Sequence, residues 1–225
     1  DVMNQQREVI YTRRQRALEG ERLKTEIFDL LDEYIEEIVN KYYDDINVDG
    51  LKADLLQHLL IEFKINPEDF EKLGKDGLAD EILKASKEFY ARKEEMLGSE
   101  LMARLERYAV LSVIDDKWKE HLREMDDLKE GIGLRAYGQK DPLIEYKAEA
   151  FHLFVALITE IRNEVVSFCF KFFPQEPEEV QARRIKQQRM QAVKDSAQNL
   201  GLQNSDNARE SQNRGKQQPI KAEEK

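Results

Sequence analysis

Apolar residues return along this chain at helical steps of three and four. From position 1 to 43 there is one glycine, Gly20, and no proline, so the pattern predicts a single helix. At 1.5 Å per residue it would be roughly 65 Å long. Its second half is strongly amphipathic, with Leu23, Ile27, Leu30, Leu31, Tyr34, Ile35, Ile38 and Tyr42 on one face. Its first half carries only Met3, Ile10 and Ala17 among glutamines and arginines, and is expected to pack on material outside this chain. From 44 to 98 the pattern shortens into a cluster of helices. Asp49 is placed to cap a helix over 51–63, Asn66-Pro67-Glu68-Asp69 to start another, and Asp76 to open one over 78–97 with Leu78, Ile82, Phe89 and Met96 inward. Asp49-Gly50 and Asp76-Gly77 could serve as hairpin turns, but their flanks lack two-residue alternation, so helices are expected there too.

Two longer runs follow. Leu101, Leu105, Tyr108, Leu111, Ile114, Trp118, Leu122, Met125 and Leu128 mark the first, over 99–130. Phe151, Phe154, Ile158, Ile161, Val165, Phe168 and Phe172 mark the second, over 142–173. The second set alternates threes and fours like a coiled-coil seam, and the short link predicts an antiparallel helical hairpin over 99–173. Gly131 is expected to end the first helix with a positive φ, while Asp141 caps the second and Pro142 fills its first turn. The tip, 131–141, then presents Tyr137 with Leu134, Arg135, Gln139 and Lys140. Two readings of Tyr137 stand open: it grips an extended peptide through flat apolar area beside polar donors, or it packs down to close its own turn.

Composition narrows the class. Charged residues make up 36% of 225 positions, against 10 glycines and 5 prolines, which favours an all-α fold. The formal charge is -10. Over 174–225 there are 10 Lys+Arg against 8 Asp+Glu, leaving 26 against 38, or -12, for 1–173. An acidic body argues against a nucleic-acid binder. One cysteine excludes an internal disulfide or a cysteine-rich zinc site within the chain. The chain opens on Asp1 already inside a helical pattern, which reads as a fragment or processed product. After Pro174 a basic helix could run over 178–195, and 196–225 has almost nothing apolar to bury, so a largely disordered polar tail is expected over 174–225.

No enzyme constellation stands out. Gly131-Ile132-Gly133 lacks the glycine and lysine of a phosphate loop. His58, His121 and His152 have no metal-ligand spacing, and His121 is expected at a helix surface beside Trp118. Cys169, between Phe168 and Phe170, reads as a small buried hydrophobe. Arg13, Arg14 and Arg16, with Arg183, Arg184, Lys186 and Arg189, could touch anionic lipid or acidic protein, a solvated helix face being the plainer reading.

Three ordered stretches carry a resemblance: Asp1-Val2-Met3-Asn4-Gln5-Gln6-Arg7, Trp118-Lys119-Glu120-His121-Leu122, and Gly131 to Pro142. Over 1 to about 173 the chain resembles the carboxy-terminal part of the SecA preprotein-translocase ATPases. The resemblance implies the end of a long scaffold helix (1–43), a helical wing (44–98) and a two-helix finger (99–173). Its tip would enter the mouth of the SecYEG channel, with Tyr137 touching the preprotein polypeptide. It further implies restraint of ATP hydrolysis by the family's own motor domains, and a cytoplasmic location at the inner face of the plasma membrane. ATP and magnesium are implied for the full-length motor, with no cofactor, metal or catalytic site in this chain. The cysteine-rich zinc tail of many members, which contacts the SecB chaperone, is absent from these residues. A free-standing helical adaptor is the alternative.

Overall fold

The computed structural model describes residues 2–20, 23–135, 141–174 and 190, and for 133–135 the backbone alone. Among the described residues six helices follow in order: α1 Val2–Glu19, α2 Lys24–Tyr43, α3 Val48–Leu59, α4 Pro67–Leu97, α5 Ser99–Arg135 and α6 Pro142–Lys171. No strand occurs among the described residues, so the all-α expectation holds. None of these helices is long and apolar enough to cross a membrane. The helices lie in one compact unit, Asp1–Phe173. In the second, Pro174–Lys225, the described residues are Pro174 and Met190, so the expected basic helix and polar tail lie outside them.

The expected single helix over 1–43 is two. Gly20 donates its amide to the Arg16 carbonyl at 2.8 Å and ends α1, and a Cβ there would sit 2.9 Å from that oxygen. The Gly20 carbonyl is instead taken by the Arg107 guanidinium of α5. Glycine's low helix propensity lets the chain break where a tertiary donor competes for its backbone. Beyond the break the predicted α2 stripe is buried from Leu23 to Ile38, and it packs against α3, α4 and α6. Leu31 and Ile35 are fully enclosed, each contributing on the order of 2 kcal/mol.

Asn47, not Asp49, caps α3: its Oδ1 accepts from the Gly50 amide at 2.9 Å. That leaves Asp49 in the first turn, where its charge meets the helix's positive end. The helix stops at Leu59, short of Phe63, because Leu60 turns left-handed (φ 56°) and its amide closes back on Leu56. In α4, Pro67 fills the first turn as expected, but Asn66 makes no side-chain cap. The break expected at Asp76 falls at Gly74, whose φ of 69° with ψ of 176° is open almost only to glycine. Beyond it the buried positions are Leu78 and Ile82, as expected, then Ser86, Tyr90 and Lys93, so that Phe89 is only partly buried and Met96 is exposed.

α5 does not stop at Gly131. It runs through Gly131 and Gly133 to Arg135, and buried Ile132 between them shows packing overriding glycine's weak propensity. Asp141 caps α6 as predicted, accepting from the Leu143 amide at 2.9 Å, with Pro142 in the first turn.

Candidate functional site

α5 and α6 pack along each other, and their partners show the direction. Tyr108 meets Phe168, Lys117 meets Glu160, and His121 meets Phe154, so numbers fall on α6 as they rise on α5. The pair is antiparallel. Lys117 Nζ draws in Glu160 at 3.1 Å, Glu164 at 3.4 Å and Glu120 at 3.5 Å. The hydrogen bond to Glu160 raises the Lys117 pKa, so the ammonium stays charged and bridges the two helices.

α1 lies against this pair with its own register. Arg14 Nε bonds Asp115 at 2.8 Å, Arg107 reaches the Gly20 carbonyl, Ala17 is buried between them, and Ile10 is buried one turn before Arg14. The sparse first stretch therefore packs within this chain, against the expectation that it needs material from outside. Gln6 closes the contact near the other end. Its Nε2 donates to the Ala150 carbonyl of α6 at 3.0 Å, while its Oε1 lies 3.0 Å from His121 Nε2 of α5. A backbone carbonyl can only accept, so the amide nitrogen must face Ala150 and the oxygen must face the imidazole. His121 accordingly carries its proton on Nε2.

The expectation that His121 sits at a surface is corrected: it is 1% exposed. Trp118 and Phe154 cover it, at ring-centre distances of 5.4 and 6.0 Å. Burial pushes its pKa below the ordinary 6.5. The unfolded ring therefore takes a proton as pH drops below about 6.5 while the folded ring resists it, and stability falls with it. The expected slope is at most about 1.4 kcal/mol per pH unit. Urea unfolding followed by the fluorescence of Trp118, the chain's one tryptophan, would show it between pH 7.5 and 5.5 as a loss in the parent that His121→Leu lacks.

The hairpin's base is gripped from the other side. Lys93 of α4 sends Nζ to the carbonyls of Cys169 (2.7 Å), Phe170 (3.0 Å) and Phe172 (2.6 Å) at the end of α6. Tyr90 Oη donates to Glu106 at 2.8 Å, and Arg162 of α6 pairs with Glu37 and Glu33 of α2. Cys169 is buried as expected, its thiol pushed up to about 12 by burial.

Of the predicted tip residues, Leu134 and Arg135 fall on the last turn of α5, described by backbone alone. Tyr137, Gln139 and Lys140 lie outside the described residues. Met3, Met125, Ile132, Leu143 and Tyr146 line a groove of about 490 Å³. Of the arginines proposed for acidic or lipid partners, Arg14 is held by Asp115 and Arg13 by Glu26 at 3.3 Å, while 183–189 lie outside the described residues. No group of three metal-ligand side chains occurs among the described residues.

Sequence reasoning missed Gln6, Lys93 and the burial of His121. A signal existed for each. Gln6 shares the stripe of Met3 and Ile10, His121 falls three after Trp118 and four before Met125, and Lys93 continues the steps of Ile82, Ser86 and Tyr90.

Comparison with known proteins adds an independent line. Residues 1–173 match the family described as SecA Wing and Scaffold domain. The chain is similar to the protein translocase subunit SecA of Chloroherpeton thalassium, at 54% identity over 203 residues, which is 88% of this chain and 20% of that protein. It is 56% identical over 178 residues to that of Prosthecochloris aestuarii (79% and 17%) and 49% identical over 214 residues to protein translocase subunit SecA 1 of Chlorobium chlorochromatii (92% and 21%). The chain thus spans about a fifth of the length of these curated relatives.

Proposed function

The chain belongs to the SecA family, through its wing and scaffold domain, and on that premise we propose that it forms the lever and polypeptide-contacting end of an ATP-driven protein-export motor. Residues 1–43 act as the end of the scaffold, 44–98 as the wing, and 99–173 as a two-helix finger with its tip at 131–141. In this reading Tyr137, flanked by Leu134, Arg135, Gln139 and Lys140, grips the backbone of a preprotein at the mouth of the SecYEG channel. A ring with hydrogen-bonding neighbours holds extended peptide without choosing among its side chains. Work at the inner face of the membrane follows from that channel, and the remaining basic residues, Arg16 and those of 183–189, would meet anionic lipid there.

One observation carries the reading. α1 is tied to the α5/α6 pair by polar contacts at three levels, Gln6, Arg14 and Gly20, so a displacement of α1 is passed to both hairpin helices together. Helices packed in this way move as rigid bodies rather than bend. In this reading ATP and magnesium are bound by the family's motor domains, in keeping with the lack of a G-x-x-x-x-G-K-[ST] loop in the 225 residues. A free-standing adaptor is the weaker reading, since it leaves the family membership unexplained.

Tyr137→Ala in the full-length protein tests the proposal. Translocation of a preprotein into SecYEG-bearing membrane vesicles is expected to fall about tenfold or more, the scale on which a lost positioning contact acts. Basal ATP hydrolysis, followed in parallel, is expected to fall far less. Undiminished translocation would sink the reading.

A further inference from the structure

We propose that Gln6 and His121 are a positioning pair, a directional latch that sets the register of α1 on the α5/α6 hairpin and so fixes where the hairpin points when α1 is moved. The inference rests on the functional reading above for its consequence, though not for its geometry.

Apart from the Arg107 guanidinium on the Gly20 carbonyl at the far end of α1, the rest of the contact surface with the hairpin is weaker at choosing a register. Ile10 and Ala17 are buried but apolar, and apolar attraction has no preferred direction along a helix. Arg14 holds Asp115 through Nε and Nη2, at 2.8 and 3.3 Å, but both side chains are about 40% exposed, so solvent screens the pair and water can replace either partner when it breaks. Gln6 differs on every count. It is 5% exposed, His121 is 1% exposed, and the glutamine amide is satisfied at both ends by different helices. Its orientation admits no inversion, because the Ala150 carbonyl accepts and His121 Nε2–H donates. Sliding α1 by one turn, about 5.4 Å, would strand the amide and the imidazole N–H without partners inside the protein. A buried polar residue in an otherwise apolar helical seam acts in this way elsewhere, specifying register at some expense in stability.

His121 serves this role better than an aliphatic residue because its ring is itself held. Trp118 and Phe154 pack against it, and among the described residues Nδ1 has no hydrogen-bond partner, Glu124 lying 3.9 Å away. The imidazole therefore points its single N–H at α1.

The test uses three changes, made in this chain and in the full-length motor. His121→Gln keeps a side-chain N–H for Gln6, and His121→Leu removes it. The double variant Gln6→Leu with His121→Leu replaces both partners by apolar groups, so that only the Ala150 carbonyl loses a donor, and that carbonyl stays within the α6 helical ladder. Hydrogen exchange on this chain reads the latch directly. In the double variant, α1 amides should lose about tenfold or more of their protection while α5 and α6 keep theirs. His121→Gln should stay within about twofold of the parent. In the full-length motor, preprotein translocated per ATP hydrolysed should fall about tenfold in the double variant and be retained in His121→Gln. Parental protection of α1 in the double variant overturns the latch, whatever translocation does. Loosened α1 with normal coupling overturns its positioning role. If Tyr137→Ala proves harmless in the same assay while α1 loosens as expected, the functional reading fails and the latch stands.

Discussion

Lys93→Met is expected to lower the unfolding free energy of this chain by about 3 kcal/mol, because it strips a charged donor from three carbonyls at once. The last carbonyls of a helix have no partners within it, and those of α6 end against α4 rather than in water. Lys93 is 2% exposed and supplies the cap from a distant part of the sequence, with its charge at the negative end of the α6 dipole. Burial opposes this by disfavouring the ammonium, whose pKa is pushed down to about 8, so it is still protonated at neutral pH. Each hydrogen bond to a charged group contributes about 1.5–3 kcal/mol, and the desolvation cost offsets part of the three. Methionine keeps most of the stem's volume, so little of the loss comes from a cavity. In urea the midpoint should move down by about 1.5 M with an unchanged slope. A shift below about 0.3 M would mean that water replaces the ammonium at no cost.

The second large effect separates two phenylalanines of one helix. Phe170→Ala is expected to cost about 3–4 kcal/mol and Phe151→Ala less than about 0.5 kcal/mol. Phe170 is fully buried, stacked 5.8 Å from Phe89 and tilted 5.5 Å from Tyr90, so truncation opens a cavity where α4 meets α6. Phe151 was expected in the seam with Phe154, yet it is 62% exposed. Ala150 takes the inward position instead, small enough for the Gln6 amide to reach its backbone carbonyl. Equal losses from the two substitutions, measured by thermal or urea unfolding, would contradict this account of the seam.

Much of the fold was legible because the cues were local. The α2 stripe, the Asp141-Pro142 start of α6 and the buried Cys169 all follow from residues within a turn or two of each other. The boundaries were harder. Gly20 and Gly131 carry the same side chain, or lack of one, yet the first ends a helix and the second lies inside one. Glycine only weakens a helix, and the decision fell to Arg107 in one case and to the packing around Ile132 in the other. The tip residues proposed for substrate contact rest on the resemblance and on hairpin geometry, since Tyr137 lies outside the described residues.

The sequence alone determined the helical class, the faces of the strongest stripes and, through its motifs, the family. Those depend on a 3.6-residue period and on order along the chain, both present before anything folds. Tertiary structure alone decided which polar groups go inside. Gln6, Lys93 and His121 are tolerated in the core because partners roughly 75 to 145 positions away satisfy them, and a buried polar group is costly until such a partner is in place.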